Sequence, residues 1–206
     1  MTGDIRRAAH ACVVGAVMVF LLISPCLAQN AQTYYQQGIE AYGAGEWDLA
    51  IKHWKSAVAL DQKSAKIHKA LGLAYHWKGS GNDKQKNQES CRMAVEEFQK
   101  AVSLDPQYAK AYSNMGGAYE CLGDNGKAIQ SYEKAISLDP KLKDSYYYLA
   151  LLYKERNEIT KAKQLVRQGD LQSEEPQEDT DEGWYIQFLA YLTWKSLGPT
   201  LEELRQ

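Results

Sequence analysis

The sequence is poor in what sheets and basic surfaces need. It holds only 3 Phe and 5 Pro in 206 residues. It has no excess of basic charge: 24 Lys+Arg stand against 26 Asp+Glu, for a net charge of -2. That balance lacks the electrostatic footprint of a nucleic-acid binder, so no nucleic-acid partner is expected. Also missing are a Cys-x-x-Cys pair and a phosphate-cradling Gly-rich loop; Gly79-Ser80-Gly81 is too short to be one. His53, His68 and His76 have no carboxylate or Cys at ligand spacing. No catalytic residue, metal site or cofactor is therefore expected, and His68 is read as a packed core residue. What is abundant is Ala and aromatic surface, with 14 Tyr and 5 Trp. An Ala-rich, Pro-poor chain suits packed helices better than strands.

The two ends differ from the middle. Arg6 and Arg7 precede an uncharged run from Ala11 to Ile23. Pro25 breaks it, and Cys26-Leu27-Ala28 places small residues around a bulky one. This is the pattern of a signal peptide over 1–28, cut after Ala28. The expected location is periplasmic or secreted. The alternative is an N-terminal membrane anchor, because 8–28 is as long as the roughly 20 residues a span needs. Of the four Cys, Cys12 and Cys26 would leave with the signal. Cys91 and Cys121 would remain, and two thiols in an oxidising compartment raise the question of a disulfide.

Between the ends the sequence repeats itself. Ala-Leu-Gly-Leu-Ala-Tyr (70–75) aligns with Asn-Met-Gly-Gly-Ala-Tyr (114–119). The same frame sets small residues at Gly38, Gly72, Gly116 and Ala150, each four after a ring at Tyr34, His68, Tyr112 or Tyr146. A second motif follows: Ala50, Ala94 and Ala128 each precede a ring by four (Trp54, Phe98, Tyr132), and Ala57, Ala101 and Ala135 follow that ring by three. Gly38 to Gly72 is 34 residues, as is Gly116 to Ala150. Period and residue types resemble the tetratricopeptide repeat over roughly 31–176. The resemblance implies an all-α, right-handed solenoid of helical hairpins. Small residues would sit where helix axes approach, rings would fill the gaps, and Pro106 and Pro140 would follow helix ends. Gly45, Gly123 and Asn157 mark turns within repeats. The organisation expected within 29–176 is repeats at 31–64, 65–108, 109–142 and 143–176.

Two departures stand out. Gly72 to Gly116 is 44 residues, and the excess falls at the polar stretch 79–88, read as a surface insertion with helical extension towards Lys84. The fourth repeat decays: Val166 replaces the ring, Gly169 the second Ala, and Glu174 stands where Pro would be. Cys91 should open one helix and Cys121 close the next, at one edge of the stack, close enough to bridge. Residues 173–182 then form an acidic linker with six acids. Residues 183–206 form an apolar helix and tail. Trp184, Tyr185, Phe188, Leu189 and Leu192 make its apolar arc too broad for a helix free in water. It is expected to cap the last repeat, or to dock into a partner or a second copy.

In such a solenoid the first helix of each repeat lines an inner face. The residues placed there are Tyr35, Ile39 and Tyr42; Lys69, Leu73, His76 and Trp77; Lys110 and Asn114; and Tyr147 and Leu151. Asn114 is similar to the position by which this family holds a peptide backbone. The Lys and Asn set with which chaperone-binding members clamp a carboxylate is not matched, since Tyr35 and Ile39 occupy its first-repeat sites. The function expected is a noncatalytic scaffold for a protein or peptide partner in an exported or cell-envelope complex. The alternatives are a self-associating structural protein joined through 183–197, hence a homo-oligomer, and an accessory subunit of an exported enzyme.

Overall fold

The structure, a computed structural model, describes residues 30–80 and 84–171. The expectations for the signal segment, the acidic linker and the 183–206 helix lie outside the described residues. Within them the regular structure is helical, in four hairpins. Helix α1 covers 30–43 and pairs with α2 (Trp47–Leu60). Then α3 (Ala65–Gly79) pairs with α4 (Lys84–Leu104), α5 (Ala109–Cys121) with α6 (Asn125–Leu138), and α7 (Lys143–Glu155) with α8 (Ile159–Leu171). Contacts run chiefly between consecutive helices, and α3 also touches α5. This is the quasi-linear stacking of a solenoid.

Local chemistry sets the breaks between helices. Asp61, Asp105 and Asp139 each accept a hydrogen bond from the backbone N–H two residues on, at 3.1, 3.0 and 3.0 Å. The repeated Leu-Asp connector is therefore a side-chain-stabilised turn, with Ser64 then capping α3 by accepting from the Ile67 N–H. The turns inside hairpins one, three and four fall on Gly45, Gly123 and Asn157, at φ 75°, 75° and 63°. Only a residue that tolerates the left-handed region can sit there.

The core is a seam repeated in every hairpin. Ala50, Ala57, Ala94, Ala101, Ala128, Ala135 and Ala162 have no exposed surface, and the residues they flank, Trp54, Phe98, Tyr132 and Val166, are buried too. Across the seam the small residue of the first helix receives the ring of the second. A methyl added at Gly38 would lie 2.3 Å from Trp54, at Gly72 2.7 Å from Phe98, and at Gly116 2.7 Å from Tyr132. Each ring thus occupies the space a side chain would need. Trp54 also donates its Nε1–H to the Tyr35 carbonyl at 3.0 Å, so its one polar atom is satisfied in the core.

In the second repeat the Lys84 side of the insertion is helix. Helix α4 has 21 residues where α2 and α6 each have 14. Residues 84–88 are helical, which is the extension towards Lys84 that the sequence suggested. Cys91 lies in this helix with no exposed surface. It is bonded to Cys121 at the end of α5, with Cα atoms 6.1 Å apart. The bond ties the second hairpin to the third beside the end of α3, where Cys121 Sγ is 3.9 Å from the Gly79 carbonyl. In the fourth repeat Gly169 stands where an Ala stood before. A methyl there would lie 2.9 Å from the Tyr147 ring. The smaller residue on α8 and the larger one on α7 are therefore one packing arrangement.

Candidate functional site

The face singled out by sequence is built from the first helices. Gly72 and His68 point from α3 to α4. Lys69 and His76, on the next side of α3, face towards α5. His76 approaches Gly117, with its ring carbon 3.5 Å from where a β-carbon would stand. The ammonium of Lys69 lies 6.0 Å from the centre of the Tyr108 ring. In α1 the equivalent residue is Tyr35, whose ring carries Lys66 Nζ at 4.7 Å. In α5 it is Ser113, which is hydrogen-bonded to Ser145 at 2.8 Å. Positions 35, 69, 113 and 147 thus form one series along the stack.

The structure places the predicted residues unevenly. Tyr35, Tyr42, Lys69 and Tyr147 are buried, at 2, 7, 3 and 6 % exposure. Ile39, Leu73, His76, Trp77, Lys110, Asn114 and Leu151 are half-buried. Tyr42 is drawn into its hairpin, with its ring centre 5.1 Å from that of Trp47 and 5.5 Å from that of Trp54. Tyr147 leans onto α8, donating its hydroxyl to Asp170 at 2.6 Å. Trp77 stacks on Trp47 at 6.2 Å and 23°. Those rings form an aromatic edge where the first two repeats meet.

A half-buried polar cluster sits beside this edge. His76 Nδ1 is buried and has no hydrogen-bond partner, and burial pushes the ring down to a pKa of about 4. One turn past Gly117, Glu120 accepts the hydroxyl proton of Tyr132. Burial pushes the Glu120 carboxyl up to about 7; the Tyr132 hydrogen bond opposes this and the Glu155 charge adds to it. The Tyr132 oxygen is also 3.6 Å from the Gly117 β-carbon position. A neutral imidazole and a readily neutralised carboxyl here flank a backbone strip with no side chain.

Sequence reading missed one buried charge pair. His68, expected as a core residue, is buried as expected, but it bonds Glu97 through Nδ1 at 2.7 Å and lies 3.2 Å from the Gln62 carbonyl through Nε2. The Glu97 hydrogen bond raises the His68 pKa, outweighing desolvation. Burial alone would raise Glu97, but the bonds and charges of His68 and Lys100 outweigh it and leave the carboxyl below its usual range. The signal was in the repeat frame. In repeat one the equivalent positions, Tyr34 and His53, have ring centres 6.3 Å apart, tilted at 31°. Their separation of 19 becomes 29 at His68 and Glu97 once the ten inserted residues are counted. Among the described residues no group of His, Cys, Asp and Glu could hold a metal ion.

Comparison with known proteins settles the family. Two tetratricopeptide-repeat models match residues 109–142 and 131–164, and a TPR repeat model matches 40–79 and 93–123. Together they span more than half of the chain. The chain belongs to the tetratricopeptide-repeat (TPR) family. No curated protein sequence matches it. Among solved structures this TPR protein is similar to MamA, at 25 % identity and a TM-score of 0.60, over 82 % of this chain and 93 % of the other. It shares its fold with TTC0263, a thermophilic TPR protein of Thermus thermophilus, at 20 % identity and a TM-score of 0.64, over 90 and 96 %. It also shares it with the first TPR of Spaghetti (RPAP3) bound to the HSP90 peptide SRMEEVD, at 22 % identity and a TM-score of 0.55, over 63 and 95 %. These neighbours share the TPR solenoid with this chain.

Proposed function

We propose that the chain is a noncatalytic adaptor that holds a protein or peptide partner along its first-helix row, within an exported or cell-envelope complex. The observation carrying this reading is the row itself. Over four repeats it offers half-buried apolar side chains (Ile39, Leu73, Leu151) interleaved with Lys110 and Asn114. Apolar pockets with a few polar groups between them suit an extended or helical segment with acidic flanks. The TPR of RPAP3 is bound to an acidic peptide. Here Tyr35 is buried and Ile39 stands beside it, so a carboxylate clamp in the first repeat is not part of this proposal.

Export is supported by the basic-then-apolar N-terminus and by the Cys91–Cys121 bond, which suits an oxidising compartment. N-terminal sequencing of the protein from its host should give Gln29 as the first residue; retention of Met1 would support an anchor instead. Partner binding is tested with a photo-reactive residue at Leu73 or Leu151 in the full chain. A distinct protein crosslinked at both positions is expected. Crosslinks to this chain alone would replace the adaptor with a self-associating structural protein.

A further inference from the structure

One place in the inner row lacks the side chain that its equivalents carry. The residue after the small one of each first helix is Ile39, Leu73, Gly117 and Leu151. At Gly117 the row therefore has a gap where the other repeats have a branched side chain. The gap has walls. The His76 ring comes from α3, with Cε1 3.5 Å and Nε2 3.7 Å from where a β-carbon would stand. The Tyr132 hydroxyl comes from α6, at 3.6 Å. Glu120, one turn along α5, accepts the proton of that hydroxyl. On the α7 side Tyr148 stacks on Tyr132, with ring centres 5.7 Å apart and planes at 17°. Gly117, His76, Glu120 and Tyr148 are half-buried, so the gap opens on the row.

The polar atoms round this gap are chiefly acceptors. The Tyr132 proton is spent on Glu120, which leaves the phenol oxygen and the carboxylate to accept. The neutral His76 ring has one accepting nitrogen, and its Nδ1 is buried with no partner. The charge is also of one sign: Glu155 on α7 adds its field to Glu120, while Lys154 beside it has interactions of its own. We propose that the gap at Gly117 is a pocket for one basic side chain, arginine above all, of the protein or peptide partner held on the row. Arginine brings five N–H donors and no acceptor, and its flat group stacks on aromatic rings. Lysine brings the same charge with fewer donors. Burial and the Glu155 charge push the Glu120 carboxyl up to about 7, and a cation in the gap would pull it back down. This inference rests on the adaptor reading and adds to it the chemistry of one partner residue.

The test is selection of phage-displayed random peptides on the full chain at about pH 8, where Glu120 is ionised, with Gly117→Leu and Glu120→Gln chains in parallel. The first variant fills the gap with the residue of repeats two and four. The second keeps an acceptor for Tyr132 but removes the charge. The expected result is arginine or lysine enriched at one peptide position on the wild type, with that enrichment lost on both variants. Enriched peptides without a basic residue would overturn the pocket and leave the adaptor standing. Basic residues enriched equally on both variants would also overturn it, by placing the cation elsewhere. No enriched peptide at all would overturn both readings. A second measurement needs no variant. A synthetic peptide from the wild-type selection should bind about tenfold more weakly at about pH 6 than at about pH 8, because Glu120 is neutralised as pH falls through about 7. Of the groups packed round Glu120, the Tyr132 hydroxyl titrates far above this window and His76, at about 4, below it. On α4, Cys91 is bonded to Cys121 and does not titrate. Equal affinity at the two pH values would overturn the proposal.

Discussion

Inside the first three hairpins one small residue meets one ring, and the same pair recurs: Gly38 with Trp54, Gly72 with Phe98, Gly116 with Tyr132. Along the first-helix row no such rule holds, and one series of equivalent positions reads Tyr35, Lys69, Ser113, Tyr147. The difference teaches what each region is for. The seam is a packing problem with one solution per hairpin, so its residue types repeat. The row's residues pack against different neighbours from repeat to repeat, Lys66 over Tyr35, Lys69 by Tyr108, Ser113 on Ser145 and Tyr147 on Asp170, so its residue types vary. Substitutions should therefore separate the two regions: seam changes should cost stability, and row changes should cost binding with little loss of fold.

The largest effect is expected at the seam ring. Trp54→Ala should cost about 3–5 kcal/mol, because it removes a buried ring and leaves the space above Gly38 empty. Urea unfolding would measure it. A cost under about 1 kcal/mol would mean that α1 and α2 are held by something other than this contact. Next comes the joint between hairpins. Cys91 and Cys121 are 30 residues apart, and removing a bond that closes such a loop costs roughly 2–4 kcal/mol. The Cys91→Ala, Cys121→Ala variant should lose that much relative to the oxidised protein. Reduced wild type should match the variant, and equal stability of all three would show that the joint is held by packing alone.

These two regions were not equally legible in the sequence. The seam, the turns at Gly45, Gly123 and Asn157 and the proximity of Cys91 to Cys121 follow from a 34-residue frame, because packing and backbone geometry impose the same residue types at the same offsets. The row did not yield so well. Burial of Tyr42 by Trp47 and Trp54, or the lean of Tyr147 onto Asp170, depends on pairs unique to one repeat, which a frame built from recurring residues cannot show. The His68–Glu97 pair was hidden for a related reason: the insertion stretched its spacing beyond the frame.

The His68–Glu97 pair tests whether a charged seam behaves as the apolar ones do. His68 has a raised pKa, so its share of stability is full below 6.5 and is lost as pH rises through the folded value. Glu97 has a lowered pKa, so its share is present above 4.5 and is lost as pH falls through the folded value. The pair therefore contributes fully between about pH 4.5 and 6.5. Glu97→Gln should cost roughly 1–3 kcal/mol at about pH 5.5 and less at about pH 9. An equal cost at both values would mean that a neutral hydrogen bond carries the interaction.

The finest division between seam and row runs between two adjacent residues. Gly116 and Gly117 both lie inside α5, where alanine is the better helix former by about 1 kcal/mol. Their surroundings differ. A methyl at Gly116 would lie 2.7 Å from the Tyr132 ring, which is fully buried and cannot retreat. A methyl at Gly117 would lie 3.5 Å from His76 and 3.6 Å from the Tyr132 oxygen, both ordinary contacts. Gly116→Ala should therefore destabilise the protein by about 1–3 kcal/mol despite the better propensity. Gly117→Ala should stabilise it by about 0.5–1 kcal/mol while putting a methyl group on the row. Thermal unfolding of the two variants gives the signs. If both lower the melting temperature, Gly117 is kept for close backbone approach as Gly116 is, and the boundary between packing and binding lies further round α5 than residue 117.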